Sequence, residues 1–157
     1  MVKITTPIDQ VDSTAQFTVG TRTQTKDGNE YIYLPGTTSV AQYDWVTIHT
    51  ASALSYGSVT RMGQLNAGPV AIAQAAITGP NYGWFQVKGV GWGNAGEPVS
   101  AGSALYASGT TGYVGTTVAS NHLIYRATAI GDGQCVLTAA GTCKVLINHP
   151  HLYGFVI

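Results

Sequence analysis

Short strand-like segments separated by glycine-containing turns recur along most of the chain, and they constrain its fold more than any other sequence feature. The segments are rich in Val, Ile, Thr and Tyr, and they follow one another at intervals of roughly ten residues, as in β-sandwiches and barrels. Stretches with the periodicity of an amphipathic helix are missing. The pattern predicts an all-β protein, with short helical turns at most near 37–43 or 51–54.

The clearest local element is a hairpin within residues 21–35. Asp27 and Gly28 lie between two alternating runs, a sequence typical of a tight primed turn. Further strands are predicted at Trp45–Thr50, Ser58–Met62, Val70–Ile77, Gly83–Val90, Ala104–Ala107, Leu123–Ile130, Gln134–Thr138 and Thr142–Asn148. The last three are predicted to form a meander, with turns at 131–133 and 139–141.

A chain of 157 residues is long enough for one domain with its own core. We assign residues 17–157 to a single β-sandwich or barrel, and leave open whether it is a jelly roll, a β-tulip or an SH3-like barrel. Residues 1–16 are polar and contain a proline. They are either a frayed terminus or an extended N-terminal arm that pairs with a partner. The contact candidates in this arm are Ile4, Pro7, Ile8 and Val11.

The charge content is low and balanced. Seven basic and seven acidic residues make up 9% of the chain, against about 25% in ordinary soluble domains. So few cations argue against nucleic acid as the main partner. The sparse charge also suggests that another protein covers much of the surface. No apolar run approaches the roughly 20 residues that a membrane span needs, and the start lacks the apolar core of a secretory signal, so we expect synthesis in the cytosol.

Sequence motifs for catalysis are missing. The carboxylates are scattered or explained by turns, the serine hydrolase motif GxSxG does not occur, and neither a Walker loop nor GxGxxG is present. The cluster GVGWGNAG has no following amphipathic helix to donate amides to a phosphate. We therefore predict that the protein is not an enzyme and uses no cofactor.

Two pairs of residues keep alternatives open. His149 and His151 point to the same side if their segment is extended, but a metal site needs further ligands. A polar terminal segment that packs on the domain or a partner is the preferred interpretation. Cys135 and Cys143 face each other if the last hairpin forms, and the sequence leaves a disulfide open, although reduced, buried thiols are expected in the cytosol.

The aromatic stretch NYGWFQVKGVGWG contains the main binding candidates. A strand over 83–90 would direct Trp84 to the side away from Phe85. Trp84, with Tyr82 and Trp92 near the strand ends, then forms an interface anchor or a sugar-stacking surface. In the alternative, both strand faces are buried and Trp84 belongs to the core. The glycines that follow predict a twisting, bulged connection.

The order of these pieces resembles that of the small β-rich capsid decoration (cement) proteins of tailed phages. The resemblance rests on four segments, which together cover roughly two-thirds of the chain. They are FTVGTRTQTKDGNEYIYLPG (17–36), YDWVTI (43–48), VAIAQAAITGPNYGWFQVKGVG (70–91) and VSAGSALYASGTTGYVG (99–115).

The resemblance implies a structural virion protein, assembled in the host cytoplasm, that binds the outer capsid surface. Similar proteins usually form homotrimers that bridge neighbouring major capsid proteins of the HK97-type fold, without catalysis or cofactor. Tyr82, Trp84 and Trp92 would then anchor subunits or the core, and the arm would reach the capsid. The alternative is a receptor- or carbohydrate-binding module of a tail fibre or spike, which would use the same aromatics as a sugar platform.

Overall fold

The computed structural model describes residues 7–52, 55–62, 67–117, 122–130 and 141–152, with the backbone alone over 50–52 and 55–60. Nearly all regular structure in this part of the chain is β-strand, and no membrane-spanning helix occurs in it. The strands are β1 (Arg22–Gln24), β2 (Glu30–Pro35), β3 (Trp45–Ser52), β4 (Ser55–Arg61), β5 (Gly68–Ala73), β6 (Tyr82–Ala95), β7 (Ala104–Ala107), β8 (Val114–Gly115), β9 (Leu123–Ala129) and β10 (Gly141–Leu152).

The strands form one sheet that closes through β6. The order is β1-β2-β6-β8-β7-β9-β10-β5-β3-β4, and β6 also pairs with β10 and β5. Every pairing is antiparallel except that of β6 with β8. The circuit β6-β8-β7-β9-β10 returns to β6, so these five strands close a barrel, whereas β1 and β4 remain at the ends of the sheet. The predicted all-β class is confirmed.

The hairpin predicted in residues 21–35 is confirmed, but its predicted tight primed turn is wrong, because Asp27 lacks the positive φ that such a turn requires. Arg22 pairs with Ile32 across β1 and β2. Between the strands, Gly28 has a φ of 83°, a conformation that costs glycine little and other residues more. The amide of Gly28 donates to the carbonyl of Thr25 over 3.0 Å, which closes the turn.

The connection predicted after residue 90 is wrong, because β6 continues through the glycines to Ala95. Other side chains occupy the space that side chains at these positions would need. A Cβ on Gly93 would lie 2.6 Å from Nε1 of Trp45, and one on Gly91 would lie 2.1 Å from Oε1 of Gln86. The glycines therefore allow close packing against a continuous strand instead of ending it.

Several predicted boundaries also shift. β5 ends at Ala73 instead of Ile77, the two-residue β8 was not predicted, and β10 extends to Leu152. No described residue of the predicted helical turns at 37–43 and 51–54 is helical. The strand predicted at Gln134–Thr138 lies outside the described residues, as does its link to the last strand.

Two buried clusters form the core on either side of β6. The first fills the barrel with inward side chains of β10, such as Val145 and Ile147, and with Trp45. The second lies between β2, β3, β5 and the first half of β6, and includes Ile32 and Phe85. Because side chains alternate along a strand, the residues between the inward ones face outward.

Candidate functional site

The described part of the N-terminal arm packs on its own domain. Asp12 and Tyr82 form an isolated antiparallel bridge with two backbone hydrogen bonds, of 2.9 and 2.8 Å. The hydroxyl of Tyr33 donates to Oδ2 of Asp12 over 2.6 Å, and the amide of Gln16 donates to that hydroxyl over 3.2 Å. Burial, and then the hydrogen bond to Asp12, raise the pKa of Tyr33 to about 12.

Beneath the arm lies a third cluster, made of aromatic rings. The Phe17 ring is centred 5.2 Å from both Tyr33 and Trp84, and Tyr82 stacks on Tyr33 at 5.9 Å. Ile8 packs against the same group. Trp84 is only 1% exposed. The structure therefore agrees with the alternative in which both faces of the strand are buried and Trp84 belongs to the core.

The other predicted contact residues separate into two regions. Pro7 and Ile8 line a cavity of about 350 Å³ with Gln42, Tyr43 and their neighbours, and Val11 is 37% exposed. Ile4 lies outside the described residues. Trp92 is half-buried in the second half of β6 and takes no part in the aromatic cluster.

The second half of β6 and the adjacent β10 present an exposed apolar pair to solvent. Val90 lies directly opposite Leu146, and the two residues are 39% and 47% exposed. Trp92 is opposite Lys144 in the same register, and Lys88 is opposite Asn148. We call the set of Lys88, Val90, Trp92, Lys144 and Leu146 the outer patch.

A carboxylate joins the outer patch to the end of β10. Oε1 of Glu30 accepts a hydrogen bond of 2.9 Å from Nζ of Lys88, and its Oε2 lies 3.5 Å from Nε2 of His149. The hydrogen bond from Lys88 lowers the pKa of Glu30, despite partial burial. We call Tyr125, Arg126, His149 and His151 the bulge cluster, because they surround an irregularity in the pairing of β9 and β10.

That irregularity includes Pro150, which has no amide hydrogen to donate to a continuous ladder of hydrogen bonds. Ile147 pairs with Ala127 and His151 with Tyr125, so three residues of β10 lie opposite Arg126 alone. His149 and His151 line a cavity of about 450 Å³ with apolar walls and Arg22, and one of about 360 Å³ with Arg126. No group of three metal-ligating side chains occurs among the residues that the structure describes.

Sequence reasoning treated Asp44 as a scattered carboxylate, whereas its side chain is fully buried. It accepts hydrogen bonds from the amide of Ala41 at 2.8 Å and from Nδ2 of Asn94 at 2.9 Å, and Nε of Arg61 lies 2.7 Å away. These contacts join the loop before β3 to β4 and β6. The low charge content of the chain was the sequence feature that could have indicated a structural role for Asp44, because a chain with few charged residues has few carboxylates on its surface.

Glu97 was likewise missed. Its carboxylate accepts hydrogen bonds from the amides of Thr116 and Thr117 and from the Thr117 hydroxyl, which lower its pKa. Asp44 and Glu97 thus stabilise loops. The arrangement that remains for binding is the outer patch with the bulge cluster beside it.

No family model, curated protein or solved structure matches the chain.

Proposed function

We propose that the protein is a structural phage protein that binds the outer surface of an icosahedral capsid and clamps neighbouring major capsid subunits through its outer patch. The observation that carries the proposal is the pair of exposed apolar side chains, Val90 and Leu146, on neighbouring strands of a rigid sheet. Apolar side chains with an aromatic neighbour and charges at the rim are the composition of protein–protein contact surfaces.

Charge distribution supports a protein partner with an acidic surface. The chain has seven lysines and arginines and seven carboxylates. Four of the cations lie on the outer patch or beside it: Arg22, Lys88, Arg126 and Lys144. Glu30 contacts Lys88 of this group. Opposite charges on the capsid would speed encounter and fix orientation more than they add affinity.

The resemblance to decoration proteins supplies the partner and the assembly. Its four segments lie on the β1–β2 hairpin, the start of β3, β5 with most of β6, and β7 with β8. A homotrimer would present the outer patch three times to quasi-equivalent capsid proteins of the HK97-type fold. Linked contacts raise one another's effective concentration, so each can be weak while the clamp resists the pressure of packed DNA.

Two exposed apolar residues allow a matched test of which surface binds. The wild-type protein, Leu146→Glu and Val11→Glu are mixed with expanded, undecorated phage heads of the HK97-type fold, and bound protein is measured by co-sedimentation. We expect Leu146→Glu to lose binding and Val11→Glu to retain it. Both side chains are exposed, so both variants should fold.

The outcomes separate the hypotheses. Loss of binding only in Val11→Glu would assign the capsid contact to the N-terminal arm. Failure of the wild-type protein to bind heads, with saturable binding to a glycan panel, would favour the tail-fibre or spike module. Light scattering of the isolated protein tests the trimer separately, and a monomer would contradict that part of the proposal.

A further inference from the structure

The bulge cluster contains two residues in a backbone conformation that L-amino acids rarely adopt. Arg126 has a φ of 61° and His149 a φ of 51°. Neither residue is a glycine, and both are exposed, so core packing of their side chains does not explain the conformation. Strained residues of this kind concentrate at binding sites, where the strain fixes the direction of a side chain.

The same residues open a niche. His149 and His151 line the apolar-walled cavity of about 450 Å³ and also the more polar one of about 360 Å³. The first has walls of Val70, Val87 and Pro150, whereas the second is lined by Tyr125 and Arg126. Imidazole rings and a guanidinium therefore lie close to apolar side chains that suit a short carbon chain.

The charges around His149 are predominantly positive. Arg22, Lys88 and Arg126 are all near enough to oppose its protonation, and Glu30 is the described carboxylate that favours it. Glu30 is already engaged by Lys88 at 2.9 Å. Arg126 forms no ion pair with any carboxylate in the described ranges. Arg126 thus contributes a positive charge at the mouth of the niche.

We propose that this niche binds a single carboxylate from a partner polypeptide, held by the Arg126 guanidinium and the imidazoles of His149 and His151. That the partner is a capsid subunit rests on the proposed function. A side-chain carboxylate fits better than inorganic phosphate because it brings methylene groups that can contact Val70, Val87 and Pro150. The apolar walls would contact the methylene groups of a glutamate or aspartate side chain.

The test uses the isolated protein and a small probe. The histidine ring signals of ¹³C-labelled protein are followed by NMR during titration with N-acetylglutamate α-amide, which carries one carboxylate. We expect saturable shifts at His149 and His151. Arg126→Asn removes the charge while asparagine tolerates the left-handed conformation, and it should weaken binding at least about tenfold. Lys144→Gln, a matched loss of charge on the outer patch, should bind the probe like the wild type.

Three results would overturn the inference: no saturable shift, equal binding by Arg126→Asn and the wild type, or tighter binding of inorganic phosphate than of the carboxylate probe. Because the titration contains no capsid, its failure is distinguishable from failure of the proposed function. Heads that bind the wild type and Arg126→Asn equally would leave the clamp intact and remove only the niche from the contact.

Discussion

The hydroxyl of Tyr33 donates a 2.6 Å hydrogen bond to the carboxylate of Asp12, and this bond fastens the N-terminal segment to the second strand of the domain. Asp12 also pairs with Tyr82 through the backbone, so the segment covers the aromatic rings beneath it. An arm attached in this way is part of the domain from Asp12 onward. Removing the arm would uncover part of the aromatic cluster, on which Ile8 packs.

We predict that Asp12→Ala lowers the free energy of unfolding by about 2 kcal/mol, because the buried Tyr33 hydroxyl loses a charged acceptor. Urea denaturation measures the change. Asp9→Ala is the matched control, since Asp9 is exposed, and it should change stability by no more than about 0.5 kcal/mol. Equal effects of the two substitutions would show that the bond contributes nothing specific.

Gly93→Ala should cost about 2 kcal/mol, because its Cβ would lie 2.6 Å from Nε1 of the buried Trp45. The matched control is the double variant with Trp45→Phe, whose smaller ring relieves the overlap. We expect Trp45→Phe to lower the free energy of unfolding less in the Gly93→Ala background than in the wild type, as measured by thermal or urea unfolding. Additive effects would contradict the steric explanation.

Asp44→Ala should lower the free energy of unfolding by about 3 kcal/mol or more. The side chain of Asn94 and the amide of Ala41 would lose a buried acceptor, and Arg61 would lose its counter-ion. Arg61→Ala should cost less, since the side chain of Arg61 is partly exposed and the carboxylate keeps two hydrogen bonds. Denaturant unfolding of both variants tests the order. A larger loss in Arg61→Ala would mean that the ion pair dominates.

Stability should fall on acidification in two steps. The pKa of His149 is lowered from 6.5, first by burial and then by Arg22, so the unfolded chain binds its proton more readily and stability decreases as the pH falls below about 6.5. The pKa of Glu30 is lowered from 4.5, mainly by Lys88, so a second decrease begins below about 4.5. Midpoints of urea unfolding across this pH range measure both decreases.

His149→Asn should remove the first decrease and leave the second. Persistence of the first decrease would exclude His149 as its source.

Several strands were predicted correctly from local sequence. The β1–β2 hairpin, the start of β3 and all of β7 follow from local composition and turn residues. The second half of β6 did not, because glycines ordinarily end strands. These glycines are needed because of tertiary packing. The Trp45 indole, which fills the space beside Gly93, comes from a strand distant in the sequence, so the residues around Gly93 do not predict it.

The candidate site was only partly predictable. Trp92 was predicted as a contact residue from its position near the end of the predicted strand. Pro150 cannot donate to a ladder, and the pairing of β9 with β10 is irregular there. The exposure of Val90 and Leu146 depends on the pairing of β6 with β10, which the sequence does not contain locally. The left-handed conformations of Arg126 and His149 could not be predicted from residue type, since most arginines and histidines have negative φ.

β6 pairs with β2 and β5 along its first half and with β10 and β8 along its second. Both hydrophobic interiors therefore share a single wall. Because both clusters contain side chains of β6, we expect them to lose their packing together when β6 unfolds.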